Sequence, residues 1–186
     1  MLTGPVVPTG PVPRGVHTRA GNAMGRTRAG LLDGAARAFA EQGLRATTML
    51  SIAAAAGVAK GTLFTHFRTK DEVARTLLAS ELRRLAADAA GRPPAEALAG
   101  LADELAGSPV LRRLRSSDPE VLVELLAVPA DRWAALTADL AGVLGTDAAA
   151  AELPARWLLG VVLQPGRSAA RHRAAGQLAA VLTARD

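Results

Sequence analysis

Apolar residues recur along this chain at intervals of three and four, and no stretch alternates, so the pattern predicts helices and no strands. The first periodic stretch covers 26–42, where Leu32, Ala35, Ala36 and Phe39 share a face and Gly43 closes the helix. Two short helices follow within 48–67. Thr69, with Glu72 three residues on, is a capping box that opens a long helix over 70–90. Gly91, Arg92, Pro93 and Pro94 break it. Further helices are expected over 94–106, 109–115, 119–127, 130–144, 148–163 and 168–184. Leu98, Leu101 and Leu105 line one stripe, and Leu122, Leu125 and Leu126 another. Pro154 falls inside the second-last span, where a kink or a helix start is expected. Residues 1–25 hold four prolines and five glycines without apolar period and read as disordered. Arg14, His17 and Arg19 could make that extension a basic arm for DNA phosphates or a minor groove, but the favoured reading gives it no such role, and a duller alternative is that Met24 is the true start.

The pair of short helices over 48–67 carries the most information. Thr48 is a good N-cap, because its hydroxyl accepts an orphan N–H of the first turn. Ile52, Ala53 and Ala56 then share a face. Gly57 stops the helix, since glycine takes the left-handed conformation without steric cost. Val58 is an apolar plug in the turn. In the second helix Leu63 and Phe67 point inward, leaving Lys60, Thr62 and His66 outside. A polar, basic helix after a glycine turn is the pattern of a helix-turn-helix recognition helix. Taken alone, it also fits an ordinary αα-hairpin.

Charge changes that balance. The 186 residues carry a formal net charge of +5, unevenly spread. Residues 1–70 hold nine Lys and Arg against two Asp and Glu, whereas 71–186 hold thirteen against fifteen. Both lysines, Lys60 and Lys70, lie at the proposed DNA face. A basic end joined to a near-neutral end suits a DNA module on an effector domain. Without cysteine there is no disulfide, thiolate metal site or cysteine nucleophile, which suits a cytoplasmic protein. Aromatics are only 3%, and all three phenylalanines, Phe39, Phe64 and Phe67, fall in the first part of the chain, where a small three-helix core needs bulky fillers. No apolar run approaches the roughly 20 residues of a membrane span, and the N-terminus has no secretory pattern.

On these residues the segment 26–73 resembles the DNA-binding domain of TetR-family transcriptional regulators. The matching residues are Leu31, Leu32, Ala35, Phe39 and Gly43, then Thr48, Ile52, Ala53, Ala56, Gly57 and Val58, then Lys60, Gly61, Thr62, Leu63, Phe64, His66, Phe67 and Lys70. The resemblance implies an all-α fold: a three-helix helix-turn-helix domain over 26–70, then a helical ligand-binding and dimerisation domain over 71–186. Lys60 suits a phosphate or a guanine edge, Thr62 a phosphate or a thymine methyl, and Gly61 a close backbone approach. The resemblance adds Thr48, His66 and Lys70 on phosphates and Phe64 against the DNA backbone. Two residues depart from the family. Ala59 stands where the family has serine and removes a helix cap, worth about 0.5–2 kcal/mol. Phe64 stands where the family often has tyrosine and removes a hydroxyl. Arg45 and Arg68 are candidates to offset these losses.

The remainder carries fewer signals. Resemblance implies an effector cavity after the long helix, where Trp133 with Arg112, Arg113 and Arg115 are the candidate walls for an apolar or singly anionic ligand; the alternative is that Trp133 is core and the arginines are solvated. It also implies a homodimer through the last two helices, with Trp157, Val161, Leu178, Val181 and Leu182 as interface residues. A core stripe in a monomer would show the same period. His17, His66 and His172 are far apart, and no nucleophile elbow, paired-histidine metal motif or P-loop appears, so neither catalysis nor a cofactor or metal is expected. The expected function is a ligand-responsive repressor that binds a palindromic double-stranded operator as a homodimer. The alternative is an all-helical module whose basic end binds a protein or membrane surface.

Overall fold

The computed structural model describes residues 19–184, and among these every regular element is an α-helix. The order is α1 (Arg19–Ala46), α2 (Met49–Ala56), α3 (Lys60–His66), α4 (Lys70–Ala89), α5 (Pro94–Gly107), α6 (Pro109–Ser117), α7 (Pro119–Leu126), α8 (Ala130–Leu144), α9 (Ala148–Leu163) and α10 (Ser168–Thr183). None of these helices is long and apolar enough to cross a membrane.

The first helix corrects the expectation for its own start. It begins at Arg19, so 19–25 are helical rather than disordered. Extending a nucleated helix adds one hydrogen bond per residue fixed, and Ala20, Ala23 and Met24 favour that extension despite Gly21 and Gly25. Residues 1–18, including the arm candidates Arg14 and His17, lie outside the described residues. At the other end Gly43 takes φ 81° and breaks the helix as expected, but one further turn follows to Ala46.

Two elements differ in detail from their sequence signals. Thr69 does cap α4, accepting the Glu72 N–H at 3.1 Å. The Glu72 carboxylate, however, accepts from Arg68 N at 2.8 Å, one residue further back than a capping box requires. Helix α9 runs through Pro154, which is fully buried in its interior, and begins at its Asp147 cap instead.

Two cores hold the molecule together. The first gathers Leu31, Leu32, Phe39, Ile52, Leu63, Phe67, Val73 and Leu77 from α1 to α4. It does not stop there: Leu114 of α6, Leu122 of α7 and Val162 of α9 belong to the same cluster. The second gathers Leu85, Ala97, Leu98, Leu101, Leu140, Leu144, Ala151, Ala175 and Leu182. Helix α4 serves both, giving Val73, Ala74 and Leu77 to the first and Leu85 and Ala89 to the second. From Leu77 to Leu85 is about 12 Å of helix. A tilt of α4 is therefore felt in both cores.

Candidate nucleic-acid interface

The exposed surface of the first domain is built by short helices. The first of them is capped at both ends. Thr48 Oγ1 accepts from Ser51 N at 3.1 Å, and Ser51 Oγ accepts from Thr48 N at 2.9 Å. The box is reciprocal, and Ser51 supplies the half that a lone Thr48 cap leaves open. Gly57 sits at φ 69°, ψ 29°, with Gly57 N donating to Ala54 O and Val58 N to Ala53 O. Those two bonds are the Schellman closure that a left-handed residue permits. Helix α1 lies very close beneath: a Cβ on Gly34 would come within 2.5 Å of Ala56 Cα. Arg37 of α1 also donates to Ala55 O at 2.6 Å, which pins the end of α2.

Helix α3 is then held out by its own buried residues. Leu63 is fully buried and Phe67, just past its end, nearly so, with the Arg28 guanidinium 4.7 Å from the Phe67 ring centroid. The opposite face exposes Lys60, Gly61, Phe64 and Thr65, one stripe at helical spacing. Around the position of a Gly61 Cβ nothing lies within 4 Å, so no neighbour inside the chain requires glycine there. The Lys60 ammonium rests 5.5 Å from the Phe64 ring centroid, a cation–π contact at the surface. Thr62 and His66 are half-buried on the flank. Ala59 provides no side-chain cap, as its methyl predicts. Thr65, absent from the sequence-derived set, belongs to the exposed stripe. Its i+4 spacing from Gly61 was the available signal, and its hydroxyl donates to Gly61 O at 3.0 Å while keeping acceptor capacity.

The outlying cations are partly engaged. Lys70 is half-buried and its ammonium donates to Arg45 O at 3.1 Å, leaving two N–H groups for other partners. Arg45 pairs with Glu120 at 3.4 Å. Arg68 stays exposed.

Away from this surface the predicted effector residues separate. Trp133 lines a groove of about 340 Å³ with Leu126, Ala127, Val128, Ala130, Arg156 and Leu159. Its indole N–H donates to Glu152 at 2.9 Å, and Arg156 pairs with Glu152 at 2.6 Å while lying 5.3 Å from the Trp133 ring centroid. Arg112 is exposed on α6 and does not line the groove. Its neighbour Arg115 turns inward and donates to Val162 O at 3.0 Å. Burial, and then the Arg112 charge, lowers the Arg115 pKa from its ordinary value.

The residues expected at a dimer surface also divide. Val161 and Leu182 are only 4% and 8% exposed, and Leu182 belongs to the second core. Trp157 and Leu178 are partly buried against the same core. Val181 alone of the five is exposed, at 53%. The outer faces of α9 and α10 carry Leu153, Gly160, Leu163, Gly176, Ala180 and Val181. Periodicity located the apolar stripes but did not separate buried Val161 and Leu182 from exposed Val181, since buried and exposed apolar residues are adjacent in sequence there.

Residues 31–77 match the model of the bacterial regulatory proteins of the tetR family. This stretch is therefore a tetR-type helix-turn-helix domain. Over 51 residues it is 51% identical to the HTH-type transcriptional repressor KstR2 of Mycobacterium tuberculosis, covering 27% of this chain and 26% of that one. Over 54 residues it is 43% identical to the HTH-type transcriptional regulator TtgR of Pseudomonas putida, covering 29% and 26%. These matches thus span about a quarter of each relative's length. A longer match, 32% over 120 residues, links it to the transcriptional repressor Rv1474c of Mycobacterium tuberculosis, covering 55% of this chain and 62% of that one. In structure it is similar to the TetR family repressor AlkX of a Dietzia strain, with a TM-score of 0.64 at 19% identity over 84% of this chain and 95% of that one. Similarity at that identity extends the all-α family fold to the C-terminal helices. The matched stretch, 31–77, is the part that relatives named as HTH-type transcriptional regulators share with this chain.

Proposed function

We propose that the chain represses transcription as a homodimer, each subunit laying α3 in a major groove of a palindromic operator. Residues 26–70 act as the DNA-binding domain, and 71–186 as the effector-binding and dimerisation domain. The observation that carries this reading is the exposed stripe of α3: Lys60, Gly61, Phe64 and Thr65 face outward with open space at Gly61, while Leu63 and Phe67 anchor the helix. Lys60 reaches a guanine edge or phosphate, and Thr62 and His66 flank it. Thr48 and Lys70 meet phosphates at the two ends of the motif, and Phe64 packs on the backbone. Dimerisation uses the exposed small and apolar residues of α9 and α10, which place the two recognition helices about 34–36 Å apart. A small apolar or singly anionic effector enters the Trp133 groove and, through α4, spreads that spacing. The relatives named as repressors support repression over activation.

Titration with the DNA upstream of the chain's own gene tests this at several salt concentrations. Wild type should bind tightly and lose affinity as salt rises. K60A should bind more weakly, with the slope of log K against log salt reduced by about 0.9 for each phosphate it no longer neutralises. Unchanged affinity and slope in K60A and K70A would show that the assigned surface is wrong.

A further inference from the structure

Resting on that operator-binding reading, we infer that Asp118, at the corner between α6 and α7, is a positioning residue for DNA binding. Asp118 stands at the N-cap of α7, where aspartate ordinarily accepts a bond from its own helix. It makes no such bond. Its carboxylate, only 4% exposed as a residue, turns toward the end of α1 and accepts Leu44 N at 2.7 Å and Arg45 N at 3.4 Å. The aspartate caps an element 74 residues away in place of its own.

Everything around that contact is fitted to it. Gly43, at φ 81°, leaves room that a Cβ would fill, since the Cβ would strike the Asp118 carboxylate. The Thr47 hydroxyl is buried and donates to Gly43 O at 2.5 Å. Lys70, the first residue of α4, donates to Arg45 O. Glu120, two residues past Asp118, pairs with Arg45. The turn 43–47 is thereby held from the α6–α7 corner on one side and from α4 on the other, and the next residue is Thr48, the cap of α2. A displaced corner would withdraw the carboxylate from two backbone N–H groups and free the turn that sets the angle of α2 and α3. This gives an effector a route to the DNA face that does not pass through α4 alone.

The sign of one substitution separates this role from simple electrostatics. Asp118 accepts from Arg45 N, on the basic side of the molecule, so as a bystander charge its neutralisation would strengthen binding to DNA. As a positioning group its neutralisation weakens it. The experiment titrates wild type, D118N, D118A and G43A with operator DNA, counting the binding-competent fraction by stoichiometric titration so that partial unfolding does not enter the Kd. D118A should bind about tenfold more weakly or worse, since it loses the acceptor of two amides, and D118N should be weakened by less, since its amide oxygen still accepts but without the charge. Their salt slopes should equal that of wild type, because no phosphate partner is removed. G43A should be weakened too, because its Cβ pushes the Asp118 carboxylate off the turn and alanine is strained at φ 81°, and the D118N/G43A double variant should be no worse than the weaker single one. Amide exchange in wild type should be as slow at Leu44 as in the buried turns of α1. Equal or tighter binding by D118N overturns the inference, as does unprotected Leu44. Should D118N not fold, G43A and the wild-type exchange decide. A wild type without operator binding would sink the operator reading and this inference together, whereas a binding wild type with an unaffected D118N sinks this one only.

Discussion

The two cores of this molecule are built from different material. The first contains Phe39 and Phe67 with Leu31, Ile52, Leu63 and Val73, all at most 1% exposed. In the second, the most deeply buried members are Ala97, Ala151 and Ala175 with Leu98, and its other leucines retain a little exposure. A few large side chains fix a short three-helix unit, because each fills a defined hole. Alanine-lined helices pack closely but specify their neighbours weakly, since one methyl resembles another. On the proposed function the first region presents a helix at a set angle and the second admits movement, and their contents suit those tasks.

The largest expected effect tests that difference directly. Phe67→Ala should cost about 3–5 kcal/mol in urea unfolding followed by circular dichroism, through reduced burial and a residual cavity. Leu98→Ala removes an equally buried side chain from the second core, where smaller neighbours can close in, and should cost less. Equal costs would remove the contrast. A smaller effect sharpens it. Gly34→Ala forces a methyl against the Ala56 backbone and should cost about 1–3 kcal/mol. Gly30→Ala, with open space around it in the same helix, should instead stabilise by about 0.5–1 kcal/mol. Thermal melts of the two variants read both signs.

The smallest effect concerns the seam between α5 and α10 in the second region. Asp103 of α5 accepts from His172 at 2.6 Å and from Arg171 of the same helix as His172. The His172 bond, and then Arg171, hold the Asp103 carboxyl below its ordinary value against the opposing push of burial. A depressed folded-state pKa contributes stability that is complete above the unfolded value, about 3.9, and is lost as pH falls through the folded one. The gap in melting temperature between wild type and D103N should therefore be steady near neutrality and close in acid. A gap that widened in acid would contradict the pairing. Asp103 is partly solvated, so the gap is small.

Much of the helix-turn-helix was legible because its signals are local. Thr48, Gly57 and the Ile52–Leu63–Phe67 set act within a few residues of one another, where caps and periods are strongest. The reciprocal partner Ser51 and the exposed Thr65 obey the same local rules, although neither stands out in a stretch rich in threonine and alanine. Gly34 was not legible, since its need for a bare Cα comes from Ala56, a residue of another helix. The burial of the interface candidates was not legible for a related reason. On α9 and α10 nearly every helical face carries alanine, leucine or valine, so Val161 and Gly160, or Leu182 and Val181, could not be told apart before their neighbours were in place.

From the chain alone came the helical class, most helix ends, the glycine bend and the basic surface, because each depends on nearby residues and on solvent. Tertiary structure decided the rest: that one core runs on past the DNA-binding helices into Leu114, Leu122 and Val162, that Arg112 stays outside while Arg115 turns in, and that Asp118 leaves its own helix to hold another. Those outcomes depend on which surfaces meet across many tens of residues. Hydrophobic period has no term for that meeting, since it specifies that a face must be covered and not by what.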